Sequence, residues 1–250
     1  MLKIILIGCN GYMGRVVTDF VNNDPEAAIV AGVDVVTEKS SNYPVYATPD
    51  KITESADVII DFSISAALDS ILKYSIKNKL PLVLCATGYS NEQINEINEA
   101  SKQIPIFRSG NMSLGINLLV DLIQRACTVL GEDFDVEIVE RHHKRKLDAP
   151  SGTALLLADA ASSSLPYKPD YIYERESRRK PRGDNEIGIS AIRGGTIVGV
   201  HDVIFAGRDE VIELRHTASS RDIFAAGALK AARFMVNRSP GLYDMKNVLE

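Results

Sequence analysis

The sequence predicts an α/β chain in two parts: a parallel sheet with helices on its faces, then an α+β region on a mixed or antiparallel sheet. Three observations predict it. A glycine-rich turn, Gly8, Gly11 and Gly14, follows the first apolar run directly. Short apolar runs then alternate with helical patterns to about residue 110, as in βαβ units. Past about residue 130 the runs become β-branched and partly alternating, the habit of strands with one covered face.

In the first part, strands are expected at residues 3–7, 29–33, 58–61, 82–84 and 105–107. They are nearly all apolar, as strands buried on both faces of a parallel sheet must be. Between them Ala67, Leu68, Ile71, Leu72, Ser75 and Ile76 recur at helical spacing. Ser90 with Gln93 has the form of a capping box that starts another helix. Residues 113–130 form a longer amphipathic helix with Leu114, Leu118, Leu119, Leu122, Ile123, Ala126 and Leu130 on its apolar side.

In the second part, strands are expected at 136–140, 187–192, 196–205 and 211–216, with Gly194 and Gly195 as the tight turn of a hairpin between the middle two. Residues 166–185, with Pro166, Pro169 and Pro181 among Arg175, Arg178, Arg179, Lys180 and Arg182, read as a long loop, either a solvated surface excursion or an interface or lid segment. Ser220 opens a last helix through Phe224, Leu229 and Phe234.

A chain of 250 residues with 45% hydrophobic content can bury a sizeable core in one domain or two. The formal charge of -5 argues against nucleic acid as the principal partner, since phosphate binding needs a net basic face. Cys9, Cys85 and Cys127 lie far apart and form no C-x-x-C pair. Neither a disulfide framework nor a metal site is expected, and a reducing cytoplasm is the natural location. The apolar run at the N-terminus is too short for a signal peptide. No stretch is expected to approach the roughly 20 apolar residues of a membrane span.

Gly8, Cys9, Asn10, Gly11, Tyr12, Met13 and Gly14 make a G-x-x-G-x-x-G turn where a strand gives way to a helix. Glycine lets the backbone turn tightly and approach a pyrophosphate, and the helix start offers its amides. Asp34 ends the second strand 20 residues after Gly14. A carboxylate there accepts bonds from ribose hydroxyls and repels a 2′-phosphate. A Rossmann-like dinucleotide site is therefore expected, with NADH favoured over NADPH.

Residues 140–154 combine two imidazoles, His142 and His143, with Lys144, Arg145 and Lys146, and then supply Pro150, Ser151, Gly152 and Thr153 as a helix start. Histidine is the side chain that exchanges protons nearest neutrality, and a helix start with a lysine beside it is an anion site. Together they point to a proton donor held next to a small bound anion.

This segment and the glycine turn resemble the dihydrodipicolinate reductases of bacterial lysine and diaminopimelate synthesis. The family signature E-x-H-H-x-x-K-x-D-A-P-S-G-T-A is met at Glu140, His142, His143, Lys146, Asp148, Ala149, Pro150, Ser151, Gly152, Thr153 and Ala154. Weaker similarity at residues 58–63, 110–116 and 218–227 carries it over nearly the whole chain. The resemblance implies reduction of 4-hydroxy-tetrahydrodipicolinate, or its dehydrated form, to tetrahydrodipicolinate with hydride from NADH or NADPH. It implies His142 as general acid, Lys146 as its catalytic companion, and His143, Lys146, Ser151, Gly152 and Thr153 as holders of the dicarboxylate. It places Phe62, Ser63, Cys85, Ala86, Thr87, Gly88, Gly110, Asn111, Met112 and Ser113 beside the cofactor. It also implies a dinucleotide-binding domain of residues 1–112 with 222–250, a substrate and oligomerisation domain of 113–221, and a homotetramer.

The chain departs from the family pattern at a few positions. Tyr12 stands where many members carry Arg, Val35 where some carry Arg with Lys39 the nearest cation downstream, and Cys85-Ala86 where G-T-T-G begins. Arg221 aligns with a position near the substrate. Arg141, Lys144 and Arg145 are expected as a solvated basic edge that steers a dianion. His201 and His216, inside strand patterns, are expected to be structural. An aspartate dehydrogenase-like enzyme would keep the glycine turn without needing His-His-x-x-Lys joined to Pro-Ser-Gly-Thr, and a nonenzymatic NAD-binding protein would not need the acid.

Overall fold

The computed structural model describes residues 1–38 and 42–249. Lys39 lies outside the described residues. The chain divides into two units, Met1–Leu114 with Arg221–Glu250, and Gly115–Ser220.

The first unit begins on strand β1, Leu2–Ile7. Its side chains alternate between two cores, Ile4 and Leu6 in one, Ile5 and Ile7 in the other. Helix α1 (Tyr12–Asn22), β2 (Ala27–Val33), the short β3 (Val45–Tyr46), β4 (Val58–Asp61), α2 (Leu68–Asn78), β5 (Leu82–Leu84), α3 (Asn91–Ser101) and β6 (Pro105–Arg108) follow. The strands pair in parallel in the order β6-β5-β4-β1-β2-β3. With both faces covered, every residue of β4 and β5 is buried, which explains their continuous apolar runs. Helix α2 buries Leu68, Ile71, Leu72 and Ser75, one face at helical spacing. At α3 both halves of the capping box form between Ser90 and Gln93.

Helix α4, Leu114–Leu130, leads into the second unit and buries Ile116, Leu119, Ile123 and Cys127. Leu118 and Leu122, expected on that face, stay exposed one position round the helix. Residues Leu114–Asp133 are long and apolar enough by length and composition to cross a membrane, which corrects the expectation that no stretch approaches that limit. The buried stripe of this helix packs instead with Val136, Ile138, Leu157 and Phe205 in the core of the second unit.

Strand β7 (Asp135–His142), helix α5 (Gly152–Ser162) and strands β8 (Asp170–Ile172), β9 (Glu186–Arg193), β10 (Gly199–Ala206) and β11 (Val211–Ala218) complete that unit, with sheet order β11-β10-β7-β9-β8. The expected hairpin at Gly194-Gly195 does not form. Strand β7 runs between β9 and β10, parallel to the first and antiparallel to the second, so the sheet is mixed. The two glycines instead carry the chain across the end of β7: Gly194 N–H donates to the His142 carbonyl, and Lys144 N–H to that of Gly195. The hairpin of this sheet joins β10 to β11.

The 166–185 segment is not loop throughout, because β8 within it pairs in parallel with β9. Two of its arginines, Arg175 and Arg182, are bound to the sheet. Arg175 lies 2.6 Å from both Glu137 and Glu186, and Arg182 lies 2.6 Å from Asp135 and 3.1 Å from Glu137. Helix α6 (Asp222–Met235), β12 (Gly241–Tyr243) and α7 (Met245–Leu249) return the chain to the first unit. Strand β12 extends its sheet beside β6 to seven strands. On one face Ala225, Ala228 and Leu229 of α6 pack with Val17 and Val21 of α1 over Ile4 and Leu6.

Candidate active site

The glycine turn is built by close backbone approach. Gly8 adopts φ +75°, and a Cβ there would meet the Phe62 carbonyl at 2.9 Å. A Cβ on Gly14 would sit 2.2 Å from the Gly8 carbonyl oxygen. Gly11 is the N-cap of α1 and brings no side-chain acceptor to the first-turn amides, so the helix start keeps its donors for an anion. The Asp34 carboxylate, at the end of β2, accepts from Asn10 N–H at 2.9 Å and Val36 N–H at 3.2 Å, which ties the turn to the neighbouring strand. A cavity of about 460 Å³ opens beside it, lined by Gly8, Gly11, Asp34, Thr48, Phe62 and Ser63. An adenosine and its phosphates fit this set: a cradle where any side chain collides, a helix start, and an acid at the rim.

The remaining cofactor candidates divide. Tyr12 is exposed, and the Arg221 guanidinium lies 4.6 Å from the centre of its ring, so the cation missing from position 12 is present one side chain away. Arg221 is thus placed in the first unit, at the N-cap of α6. Cys9 is buried, its thiol pushed up to about 11 by burial and by Asp34, so it offers only its backbone to a ligand. Met13 is half-buried in the first turn of α1, and Met112 packs in the core. Phe62 and Ser63 follow β4, Cys85, Ala86, Thr87 and Gly88 follow β5, and Gly110, Asn111, Met112 and Ser113 follow β6, all at the carboxyl ends of parallel strands. The Ser63 hydroxyl and amide both donate to Asp61, whose carboxyl burial pushes up despite them.

The second unit gathers the motif around one carboxylate. Glu140 is fully buried on β7. It accepts two bonds from Arg193 at 2.7 Å, one from Ser151 N–H at 2.9 Å, and lies 2.7 Å from His142 Nδ1. Burial alone would push this carboxyl up, but Arg193, His142 and the Ser151 amide together hold it below the usual range. Ser151 is the N-cap of α5, its hydroxyl accepting from Ala154 N–H, and it lies 3.1 Å from His201 Nε2. The Ser151 side chain, 2% exposed, is thereby committed to capping and to His201. His201 is held down at about 4 by burial and by the neighbouring His142, and its ring meets that of His142 edge-on at 5.2 Å.

Lys146 Nζ lies 2.8 Å from Asp148 in the loop ahead of α5 and holds that carboxyl low. Gly152 and Thr153 form the first turn of α5. His143 is half-buried, with its Nδ1 buried and without a hydrogen bond among the described residues. Lys144 and Arg145 are exposed, but Arg141 is not part of a solvated edge. It pairs at 2.5 Å with the buried Asp202, which Arg215 also binds. Sequence reasoning missed Arg193, which reaches Glu140 across 53 positions and also donates to the Asp148 carbonyl. No local spacing announces such a partner.

Comparison with known proteins agrees along the whole chain. The family model described as dihydrodipicolinate reductase, N-terminus, matches residues 2–112, and that described as dihydrodipicolinate reductase, C-terminus, matches residues 115–249. A 4-hydroxy-tetrahydrodipicolinate reductase of Caldanaerobacter subterraneus subsp. tengcongensis is 52% identical over 250 residues, covering 100% of this chain and 99% of that protein. Another, of Clostridium tetani, is 51% identical over 249 residues, covering 100% and 97%. In fold the chain is similar to a dipicolinate-bound dihydrodipicolinate reductase from Paenisporosarcina sp. TG-14, with TM-score 0.82, 24% identity and full coverage of both chains. With both halves matched in chain order and half of all positions shared end to end with such relatives, this chain belongs to the dihydrodipicolinate reductase family.

Proposed function

We propose that this reductase converts 4-hydroxy-tetrahydrodipicolinate to tetrahydrodipicolinate with His142 as proton donor and with NADH favoured over NADPH. The ring gains a hydride and a proton, and its hydroxyl leaves as water. When bound in the glycine cradle, the dihydronicotinamide supplies the hydride. Residues 1–112 with 222–250 take the dinucleotide and 113–221 the substrate. Residues Gly8 to Gly14, Asp34, Phe62, Ser63, Cys85 to Gly88 and Gly110 to Ser113 serve the cofactor.

One observation carries the chemical reading: a single buried carboxylate, Glu140, joins the imidazole of His142 to the amide of Ser151, the N-cap of α5. The proton donor and the anion-binding helix start are thus parts of one rigid cluster. Lys146 supplies a mobile charge to the substrate carboxylate and to negative charge developing in the ring. His143, Gly152 and Thr153 complete the grip, while Ser151 acts through its cap more than through a free hydroxyl. Lys144 and Arg145, exposed at the edge, steer the dianion. The protein works in the cytoplasm as a homotetramer. The edge of β11, unpaired on one side among the described residues and with Val211 and Ile212 exposed, offers the contact surface.

Calorimetric titration of NADH and NADPH, each with and without pyridine-2,6-dicarboxylate, tests the reading. Mutual enhancement of binding supports it, and absence of any binding by either ligand overturns it. The cofactor preference has its own test in Asp34→Ala, expected to narrow the NADH over NADPH ratio of kcat/KM, because removing the carboxylate removes both a hydroxyl acceptor and the repulsion of a 2′-phosphate. An unchanged ratio takes Asp34 out of cofactor selection.

A further inference from the structure

We propose that Glu140 is the positioning residue of the acid: with Arg193 it fixes the ring and tautomer of His142, so that Nε2, beside the bare backbone of Gly199, is the nitrogen that gives up the proton. This inference rests on the reading of His142 as the proton donor.

The placement begins in the strand. Glu140 and His142 are two residues apart on β7 and so share one face of the sheet. Across the ladder, Arg193 on β9 is the register partner of His142, and His201 on β10 that of Glu140. Four polar side chains therefore meet on one face, while Arg141, between the two β7 residues, turns the other way to Asp202.

Donor and acceptor accounting fixes the tautomer. An ionised carboxylate only accepts, and has about four lone-pair sites. In Glu140 these are met by two N–H groups of Arg193, the Ser151 amide and His142 Nδ1. Nδ1 must then carry hydrogen in both charge states of the ring, and only Nε2 is left to gain or lose one. A Cβ added at Gly199 would stand 3.2 Å from that atom. The glycine keeps the working side of the ring uncrowded.

The charges around the ring are balanced. Arg193 pairs with Glu140, so the carboxylate that His142 faces is charge-compensated. His201 on β10, whose ring meets that of His142, stays neutral at working pH, and the other charges that act on His201 are His216 on β11, whose titration burial lowers, and Lys146, paired with Asp148.

The test combines nitrogen NMR of the chain's four histidines with kinetics of Glu140→Gln, Gly199→Ala and His142→Gln. In the native enzyme, His142 is expected to carry its hydrogen on Nδ1 throughout a pH titration. A neutral ring protonated on Nε2 overturns the proposal without any variant. Glu140→Gln keeps the shape but removes the charge that favours imidazolium. It is expected to lower kcat about tenfold or more and to move the alkaline limb of the kcat profile to lower pH. An unmoved limb with an unmoved tautomer overturns the proposal.

If Glu140→Gln fails to fold, Gly199→Ala still decides, since it leaves the carboxylate alone. Its kcat should fall several-fold with NADH affinity unchanged, and a native kcat overturns the role given to Nε2. Failure of the underlying reading looks different: His142→Gln would turn over at the native rate while the Nδ1–H signal of the native enzyme stood as described.

Discussion

His142→Gln is expected to lower the rate of the chemical step by about 10² or more, since a positioned acid contributes roughly 10² to 10⁴. That corresponds to about 2.7 kcal/mol of transition-state stabilisation. Glutamine is suited to the test because its amide can still donate to Glu140 in place of Nδ1. The buried carboxylate keeps its fourth partner, and the cost of an unsatisfied group is avoided. The fold should hold and NADH affinity should stay near native, because the cradle is built on β1, β2 and β4 and not on β7. Single-turnover stopped flow separates this step from product release, which in many enzymes limits kcat. A variant running at the native single-turnover rate would remove His142 from the proton step.

The parts of this molecule that were legible in sequence are those whose signals are local. The glycine turn, the acid 20 residues beyond it, the capping box at Ser90 and the join of motif to helix at Ser151 each depend on neighbours within a few positions or one βαβ unit. What escaped depends on pairing at a distance. Strand β7 lies between β9 and β10, so a Gly-Gly pair that reads as a hairpin turn instead crosses the end of a third strand. The choice between those outcomes is made by the whole sheet.

The same holds for charge. Arg141 reads as a surface cation until β10 places Asp202 against it, and Arg175 and Arg182 read as solvated until Glu137 and Glu186 are seen to hold them. Strands β3 and β12, of 2 and 3 residues, are too short to show any period. In the candidate site, the imidazole and its helix were visible in the motif, but the guanidinium that makes their shared carboxylate tolerable in the core was not, because it arrives 53 residues later on another strand.

The second large effect is expected at Gly14→Ala. The added methyl carbon would lie 2.2 Å from the Gly8 carbonyl oxygen and 2.6 Å from Cys9 backbone atoms, well inside contact distance on each side. No flexible side chain is there to yield. The backbone of the turn must open, and overpacking of this kind costs typically 1–3 kcal/mol and on occasion more. In a protein of this size that is a loss of roughly 2–4 °C in Tm per kcal/mol. The displaced segment is also what carries Asn10 to Asp34 and aims the α1 amides, so NADH affinity should fall at least about tenfold as the anion loses aligned donors. Gly11→Ala is the graded control: its Cβ would meet the same Gly8 oxygen at 3.2 Å, a contact relieved by a shift of a few tenths of an ångström. Thermal unfolding and calorimetric titration of both variants should therefore rank Gly14→Ala well below Gly11→Ala in stability and in NADH binding. Equal, native-like values for Gly14→Ala would mean that close packing of strand, turn and helix does not shape the cofactor cradle.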